Sequence, residues 1–226
     1  MKITYYGHGC FLIHGSKQKI LIDPFITNNE LAKDINIDHI ECDMIALTHG
    51  HQDHVADVEA IAKRTKAPIL AGYEVGAYFA EKDLDAKQMN HGGWFSYEGG
   101  RVKFVAAIHS SSLPDGSYGG DPGGFVFEDE AGTLYISGDT ALTMDMKLIP
   151  MTCKPLDAAV LCIGDHFTMG VNDAVIASDF IACDTIIGAH YDTFALIKID
   201  HAEAKQAFAE KNKTLHLLDI GSSLDI

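Results

Sequence analysis

Positive charge is scarce in this sequence. Lysine and arginine number 17 against 32 aspartate and glutamate residues, which gives a formal net charge of −15 at pH 7. Proteins that bind nucleic acid usually carry a basic patch or stripe. The densest basic stretch here, Lys63-Arg64-Thr65-Lys66, is typical of a solvated helix end. The composition therefore disfavours nucleic acid as a partner, although bound metal ions can supply local positive charge to a nuclease.

Long apolar runs and C-x-x-C cysteine pairs are also missing. No apolar run approaches the about 18 residues that a membrane-spanning helix needs. Residues 1–6 favour a β-strand and lack the apolar core and cleavage site of a signal peptide. The five cysteines form no C-x-x-C pair. We therefore expect a cytoplasmic protein with free thiols and no membrane partner.

The apolar residues that are present suffice for one substantial core. A length of 226 residues, 47% of them hydrophobic, is ordinary for one globular domain. Strand-like and helix-like segments alternate, and the central strand runs are apolar enough to be buried on both faces. This pattern fits the α/β class and a four-layer αββα sandwich.

The densest group of potential metal-binding side chains is in His49-Gly50-His51-Gln52-Asp53-His54. It lies between the apolar run 43–47, which favours a buried strand, and the segment 55–64, whose apolar residues have helical spacing. In extended backbone, His49 and His51 project to the same side. Asp53 and His54 can face a second ion where the chain turns into the helix. Imidazole and carboxylate groups bind zinc and similar divalent metals, so the cluster predicts a metal site.

Such a short cluster cannot complete two coordination shells, and three residues further along the chain can supply the missing ligands. His109, Asp139 and His190 each follow an apolar, strand-like run at the point where it meets polar loop residues. Ligands in open α/β sheets gather at strand ends. A lone histidine of this kind is more often structural, but the ordered set favours a metal centre.

The ordered set of HxHxDH, His, Asp and His resembles the pattern of the metallo-β-lactamase fold superfamily, over nearly the whole chain. The resemblance implies the αββα fold and a single hydrolase domain over residues 1–226. By residue-by-residue comparison, the ligands of the first metal would be His49, His51 and His109. Those of the second would be Asp53, His54 and His190, and the carboxylate that bridges both metals would be Asp139.

Three local stretches narrow the resemblance: Gly7-His8-Gly9-Cys10-Phe11, His109-Ser110-Ser111-Ser112 and His190-Tyr191-Asp192-Thr193-Phe194. They are similar to a family of small bacterial and archaeal metal-dependent hydrolases related to the L-ascorbate-6-phosphate lactonases. Relatives often carry proline after the last stretch, where this chain has Ala195, so the shape of that loop stays open. Oligomeric state stays open as well, although relatives often assemble into homo-oligomers.

The predicted function is metal-dependent hydrolysis of a small molecule. Two divalent ions roughly 3.5–4 Å apart can share a hydroxide that attacks an electrophilic carbonyl, as in an ester, or phosphorus. The resemblance points to a lactone or a phosphorylated small molecule as the substrate. Asp53 or Asp139 is expected to accept the proton, and His8 and Tyr191 are expected to stabilise developing negative charge as donors. The ligand set suits zinc best, with manganese or iron as alternatives.

Other functions fit the sequence less well. Phosphodiesterase or nuclease-type hydrolysis is the main alternative among hydrolases. Di-iron redox proteins of the same fold replace a ligand histidine with carboxylate, so the retained His51 and His54 disfavour that chemistry. A purely structural metal site is disfavoured because such sites are usually closed shells of four ligands.

Two residues keep two interpretations each, and one long loop has an expected position. Asp23, before Pro24, either orients a ligand histidine or forms a simple turn. His166 either lies near the cleft or caps the next element. The long loop 110–124, rich in serine, glycine and proline, is expected to border the cleft because it follows His109 directly.

Overall fold

The computed structural model describes residues 1–226 and contains fourteen β-strands and six α-helices. In chain order they are β1 (Lys2–Gly7), β2 (Cys10–His14), β3 (Lys19–Ile22), β4 (Met44–Leu47), α1 (Gln52–Val55), α2 (Val58–Thr65), β5 (Ile69–Gly72), α3 (Tyr73–Ala80), β6 (Ala86–Met89), β7 (Trp94–Tyr97), β8 (Gly100–Ala106), β9 (Gly123–Asp129), β10 (Gly132–Ile136), α4 (Ile149–Thr152), β11 (Ala158–Cys162), α5 (Val171–Phe180), β12 (Thr185–Ala189), α6 (His201–Ala209), β13 (Thr214–His216) and β14 (Ser223–Asp225). Short 3₁₀ helices cover Glu30–Ala32, Ile37–His39, Met144–Leu148 and Ala195–Ile197.

The strands form two seven-stranded sheets of matching topology. The first sheet has the order β14-β1-β2-β3-β4-β5-β6, and the second has the order β13-β12-β11-β10-β9-β8-β7. Strands β3 to β6 run parallel in the first sheet, and strands β10 to β13 run parallel in the second. The remaining pairs are antiparallel, so each sheet has one parallel half and one antiparallel half.

Alternation along the strands explains how the two sheets pack. Phe11 of β2 points into an apolar cluster between the sheets, whereas its neighbour Leu12 points into a cluster on the outer face. Phe125 and Val126 of β9 divide in the same way on the second sheet. Because successive side chains point to opposite faces and both faces are covered, the central positions of these strands are apolar in succession and do not alternate with polar residues.

Helices cover both outer faces. Ile61 of α2 and Phe79 of α3 pack in the outer cluster of the first sheet. Ala174 of α5 and Phe208 of α6 pack in the outer cluster of the second. The predicted αββα order is confirmed. None of the helices has the length and apolar character needed to cross a membrane.

Some predicted boundaries differ from the structure. The single helix expected over 55–64 is divided into α1 and α2, because the N–H of Asp57 donates to the carbonyl of Pro24 and not along the helix. Helix α5 begins after Gly170 without a side-chain cap. Asp200 caps α6, since its side chain accepts from two backbone N–H groups of the first turn.

Candidate metal centre

The HxHxDH stretch lies at the carboxyl end of β4, where the chain turns into α1. His51 is the extended residue that precedes α1, and His54 is in its single turn. His49 and His54 are both almost completely buried. The turn therefore aims the two histidines inward, toward the gap between the ends of the two sheets.

His49, His51 and His109 form the first group of potential ligands, and their candidate donor atoms lie within 4.8 Å of one another. Nε2 of His49 faces Nδ1 of His51 at 3.0 Å. His109 follows β8 by three residues, because that strand ends at Ala106 and not at Ile108 as predicted. The structure brings together the three residues assigned by resemblance to the first metal.

Asp53, His54 and His190 lie together with His8 in a second group, also within 4.8 Å. His190 directly follows β12, and its backbone N–H donates to the carbonyl of His8 at 2.9 Å. That contact ties the second sheet to the first β-hairpin of the chain. The three residues assigned to the second metal are thus adjacent, as expected, with His8 beside them.

Asp139 lies between the two groups and is buried. Its Oδ2 is 2.9 Å from Nε2 of His190, 3.3 Å from Nε2 of His54 and 3.6 Å from Nε2 of His109. One carboxylate oxygen therefore contacts histidines of both groups. This is the position that a bridging ligand requires.

Hydrogen bonds behind the histidines fix their ring orientations. Asp23 accepts at Oδ2 from Nδ1 of His54 at 2.9 Å and from the hydroxyl of Thr48 at 2.6 Å. Because Thr48 gives its proton to Asp23, its oxygen accepts from Nδ1 of His49 at 3.0 Å. In its neutral form, each of these two rings then keeps a lone pair on Nε2, which faces the centre. Asp23 therefore orients the ring of His54, which is one of the two interpretations that the sequence left open.

His8 is buried and bridges Asp53 to the loop after β12. Its Nε2 lies 3.1 Å from Oδ2 of Asp53, and its Nδ1 lies 3.0 Å from Oγ1 of Thr193. A carboxylate can only accept, so Nε2 donates and Nδ1 accepts from Thr193. His8 contacts Asp53 rather than the open cavity, which makes it a positioning group more than a donor to substrate.

Several residues of the centre have left-handed backbone. His8, Asp23 and His190 have φ values of 55°, 42° and 56°. Such strain is uncommon for residues other than glycine and concentrates at functional sites. Glycine is needed beside them: a Cβ at Gly9 would lie 3.0 Å from Cε1 of His54. Gly138, with φ of +60°, lets the chain turn before Asp139 where a Cβ would meet Thr48 at 2.8 Å.

The pKa shifts differ between the groups. Burial lowers the pKa values of His49, His51 and His109, which are therefore neutral near pH 7 with a lone pair for a metal. Burial also acts to lower the pKa of His54, but the carboxylates of Asp139 and Asp23 outweigh it and raise that pKa.

For the two carboxylates, contacts with histidines outweigh burial and lower the pKa. Burial acts to raise the pKa of Asp139, but the charges of His54 and His190 hold it well below its usual range. For Asp53, burial is outweighed by the hydrogen bond from His8 and the charge of His54, so its pKa is lowered. Burial lowers the pKa of His8 to about 4, against the opposing contact with Asp53. Both aspartates are ionised and His8 is neutral at neutral pH.

The residues fit a bound divalent metal. Nε2 of His54 is buried, has no hydrogen-bond partner, and points at Asp139. Buried polar atoms are rarely left without a partner. Imidazole and carboxylate atoms converging at such short separations match the donor set of zinc and related ions.

A cavity of about 460 Å³ opens beside the two groups. This volume suits a small molecule. It is lined by His51, Asp53, His109, Ser110, Asp139, Phe167, His190, Phe194 and Leu196. Ser110 belongs to the long loop after β8, so that loop borders the cleft as expected. Its Oγ lies 3.2 Å from Nε2 of His51.

Two candidates from the sequence lie elsewhere. The ring of Tyr191 is buried in the outer core of the second sheet, stacked 6.4 Å from Tyr5, and does not line the cavity. The structure therefore does not bring it to the position of a donor to substrate. His166 is exposed and does not line the cavity either; its neighbour Phe167 does.

Comparison with known proteins agrees with this architecture. The model of the β-lactamase superfamily domain matches residues 2–190. A UPF0173 metal-dependent hydrolase of Christiangramia forsetii is 59% identical over 227 residues, and one of Flavobacterium johnsoniae is 54% identical over 226 residues. Each alignment covers 100% of both chains.

A solved structure adds a match in three dimensions. The metallo hydrolase Igni18 from the hyperthermophilic archaeon Ignicoccus hospitalis superposes with a TM-score of 0.89 at 28% identity. The match covers 99% of this chain and 97% of that one. Sequence and fold thus agree with a metal-dependent hydrolase. The chain belongs to the β-lactamase superfamily and, within it, to the UPF0173 metal-dependent hydrolases.

Proposed function

We propose that this hydrolase holds two divalent metal ions and cleaves a small-molecule ester, lactone or phosphorylated substrate in the cavity beside them. The observation that carries the proposal is the position of Asp139. Its Oδ2 lies within 3.6 Å of histidines from both ligand groups. A single oxygen so placed can join two ions in one centre.

The first ion would be held by His49, His51 and His109, and the second by Asp53, His54 and His190, with Asp139 shared. Zinc fits this donor set best, and manganese or iron are alternatives. When bound, the ions would supply Lewis acidity and a lowered pKa for water, to about 7.

The protein's own groups would orient these ligands and handle the proton. His8 donates to Oδ2 of Asp53, which leaves Oδ1 free to accept a proton in the cavity. The buried His8 itself is neutral and holds Asp53 in place. Ser110 can accept from Nε2 of His51, which leaves Nδ1 of that ring turned to His49.

A cytoplasmic location and a small-molecule partner are part of the proposal. All five cysteines are free, which suits a reducing compartment. The cavity of about 460 Å³ is of the size that small ligands occupy. A protein that binds nucleic acid usually has a basic groove, whereas this chain has a net charge of −15. The charge therefore supports a small molecule as the partner and disfavours nucleic acid.

The test is hydrolysis by protein that has been stripped of metal and reloaded with zinc, manganese or iron. The substrates are 4-nitrophenyl acetate, γ-butyrolactone and bis(4-nitrophenyl) phosphate. We expect metal-dependent turnover of the ester or the lactone, and its loss in Asp139→Asn. Asp129→Asn is the matched control, because Asp129 is also buried but its contacts are with Ser16, Tyr97 and Ala131.

Turnover of the phosphodiester alone would favour the phosphodiesterase alternative. If no metal restores activity on any of the three substrates, the hydrolytic assignment of this centre is wrong. Equal activity in Asp139→Asn and wild type would contradict the shared-ligand role.

A further inference from the structure

The cavity beside the metal centre has two unlike sides. One side is formed by the histidines and by Asp53 and Asp139. The other is formed by Phe167, from the loop after β11, and by Phe194 and Leu196, from the segment after β12 that includes the 3₁₀ helix Ala195–Ile197. Apart from Ser110 and the histidines, the polar lining is therefore acidic, and the remaining lining is apolar.

The apolar side is exposed although its residues are large. Phe167 is 51% exposed, Phe194 is 39% exposed and Leu196 is 61% exposed. Apolar side chains clustered at the mouth of a cleft mark a ligand-binding surface. The ring of Phe194 packs edge-on against His8 and in a tilted arrangement against Phe25. The apolar wall formed by Phe167, Phe194 and Leu196 is therefore continuous with His8, which positions Asp53.

An anionic substituent of the substrate would be unfavourable next to this apolar wall. Such a group would lose water against three apolar side chains, and the ionised neighbours within the cavity are Asp53 and Asp139. Lys198 lines a different cleft, together with Asp165, Asp200 and Glu203. A phosphate or carboxylate carried away from the metals would therefore be without a cationic partner among the lining residues.

We propose that the substrate carries an uncharged, apolar substituent, aliphatic or aromatic, which packs against Phe167, Phe194 and Leu196 while its reacting carbonyl lies at the metal centre. This narrows the substrate class to neutral esters or lactones and away from sugar phosphates. The inference rests on the proposed function for the location of the reacting carbonyl.

The test compares substrates that differ only at the far end of the acyl chain. The pair is 4-nitrophenyl hexanoate and the mono-4-nitrophenyl ester of adipic acid, whose chain of equal length ends in a carboxylate. We expect kcat/KM on zinc-supplemented protein to be about tenfold or more higher for the hexanoate ester. Phe167→Ala should lower the ratio of the hexanoate value to the 4-nitrophenyl acetate value by about tenfold, because acetate does not reach the wall.

A charge introduced into the wall should reverse the preference. Leu196→Arg should raise the adipate-to-hexanoate ratio at least about tenfold, because the guanidinium pairs with the terminal carboxylate. Met151→Arg is the matched control, since Met151 is an apolar residue 76% exposed outside the cavity lining. The reversal also separates a wall effect from adipate binding the metals by its free carboxylate, which Arg at position 196 would leave unchanged.

Binding of inert ketones gives a readout independent of turnover. By saturation-transfer NMR, wild type should bind 1-phenylheptan-2-one more tightly than 6-oxo-7-phenylheptanoate, and Leu196→Arg should reverse that order. Equal or better use of the adipate ester by wild type, or an unchanged ratio in Leu196→Arg, overturns the inference while leaving hydrolysis intact. Metal-dependent turnover of none of the esters refutes the proposed function instead, and the ketone order then still decides the nature of the wall.

Discussion

Replacing Asp23 by asparagine would remove the acceptor that orients His54 while keeping the size of the side chain. Asp23 is buried, and its oxygens accept two hydrogen bonds from Thr48 and one from Nδ1 of His54. Asparagine retains only one oxygen. Loss of such an orienting partner typically lowers metal affinity about 10–100-fold. That range corresponds to about 1.4–2.8 kcal/mol of binding free energy.

The same substitution should also destabilise the metal-free protein. A buried donor left without its partner costs about 1–3 kcal/mol of unfolding free energy. We would measure zinc affinity by competition with a chelator, and stability by denaturant unfolding without metal. The two readouts separate the loss of ligand orientation from a general loss of folding.

Asp57→Asn provides the matched control. Asp57 is buried too, but its carboxylate accepts from the backbone N–H groups of Ile26 and Thr27. It should lose stability with zinc affinity unchanged. Zinc affinity within twofold of wild type in Asp23→Asn, or an equal loss of affinity in both variants, would refute the reasoning.

Three further predictions concern neighbouring features of the molecule. Gly9→Ala should weaken zinc binding in the chelator assay, because the added Cβ would lie 3.0 Å from His54 and displace its ring; unchanged affinity would show that the ring can yield. Thr193→Val should lower kcat about tenfold with KM little changed, because His8 loses the donor that fixes it against Asp53; an effect on KM alone would contradict this. Glu128→Gln should lower the unfolding free energy at pH 7 by about 2 kcal/mol, because the buried carboxylate accepts charge-assisted hydrogen bonds. Burial acts to raise the pKa of Glu128, but these contacts lower that pKa below its ordinary value of 4.5. The stabilisation that the carboxylate contributes is therefore fully present above pH 4.5 and is lost as the pH falls through the folded-state pKa. The difference between Glu128→Gln and wild type in denaturant unfolding should therefore shrink toward pH 3; a constant difference would contradict it.

The seven ligand candidates were predictable because their chemistry is local to strand ends. The HxHxDH stretch follows an apolar run, and His109, Asp139 and His190 each do the same, so adjacent strands were expected to bring them together. The structure places all seven around one point. Their assignment as ligands stays a prediction that metal analysis must test.

The supporting residues could not be predicted in the same way. Thr48 and Thr193 each act through one hydroxyl group, and a sequence does not show which group a hydroxyl will hydrogen-bond in the folded chain. The wall residues Phe167, Phe194 and Leu196 lie outside the strands and α-helices, Leu196 in a 3₁₀ helix of three residues, and such short segments show no apolar periodicity. The sequence singled out His166 for its chemistry, yet the adjacent Phe167 reaches the cavity.

The fold was predictable to the level of its layers, less so at its edges. Buried strands such as β2 and β12 are marked in the sequence by continuous apolar runs. The edge strand β14 has only three residues with little apolar character, so no such pattern marks it. The break between α1 and α2 depends on a hydrogen bond from Asp57 to distant backbone, which no local pattern shows.

The most direct test of the account is metal content per chain, measured by elemental analysis after stripping and reloading with excess zinc. We predict about two ions for wild type and Asp129→Asn, and about one for Asp139→Asn, because a shared carboxylate is needed to hold both. A wild-type content that saturates at one ion or fewer, or two ions retained in Asp139→Asn, would contradict a binuclear centre bridged by Asp139.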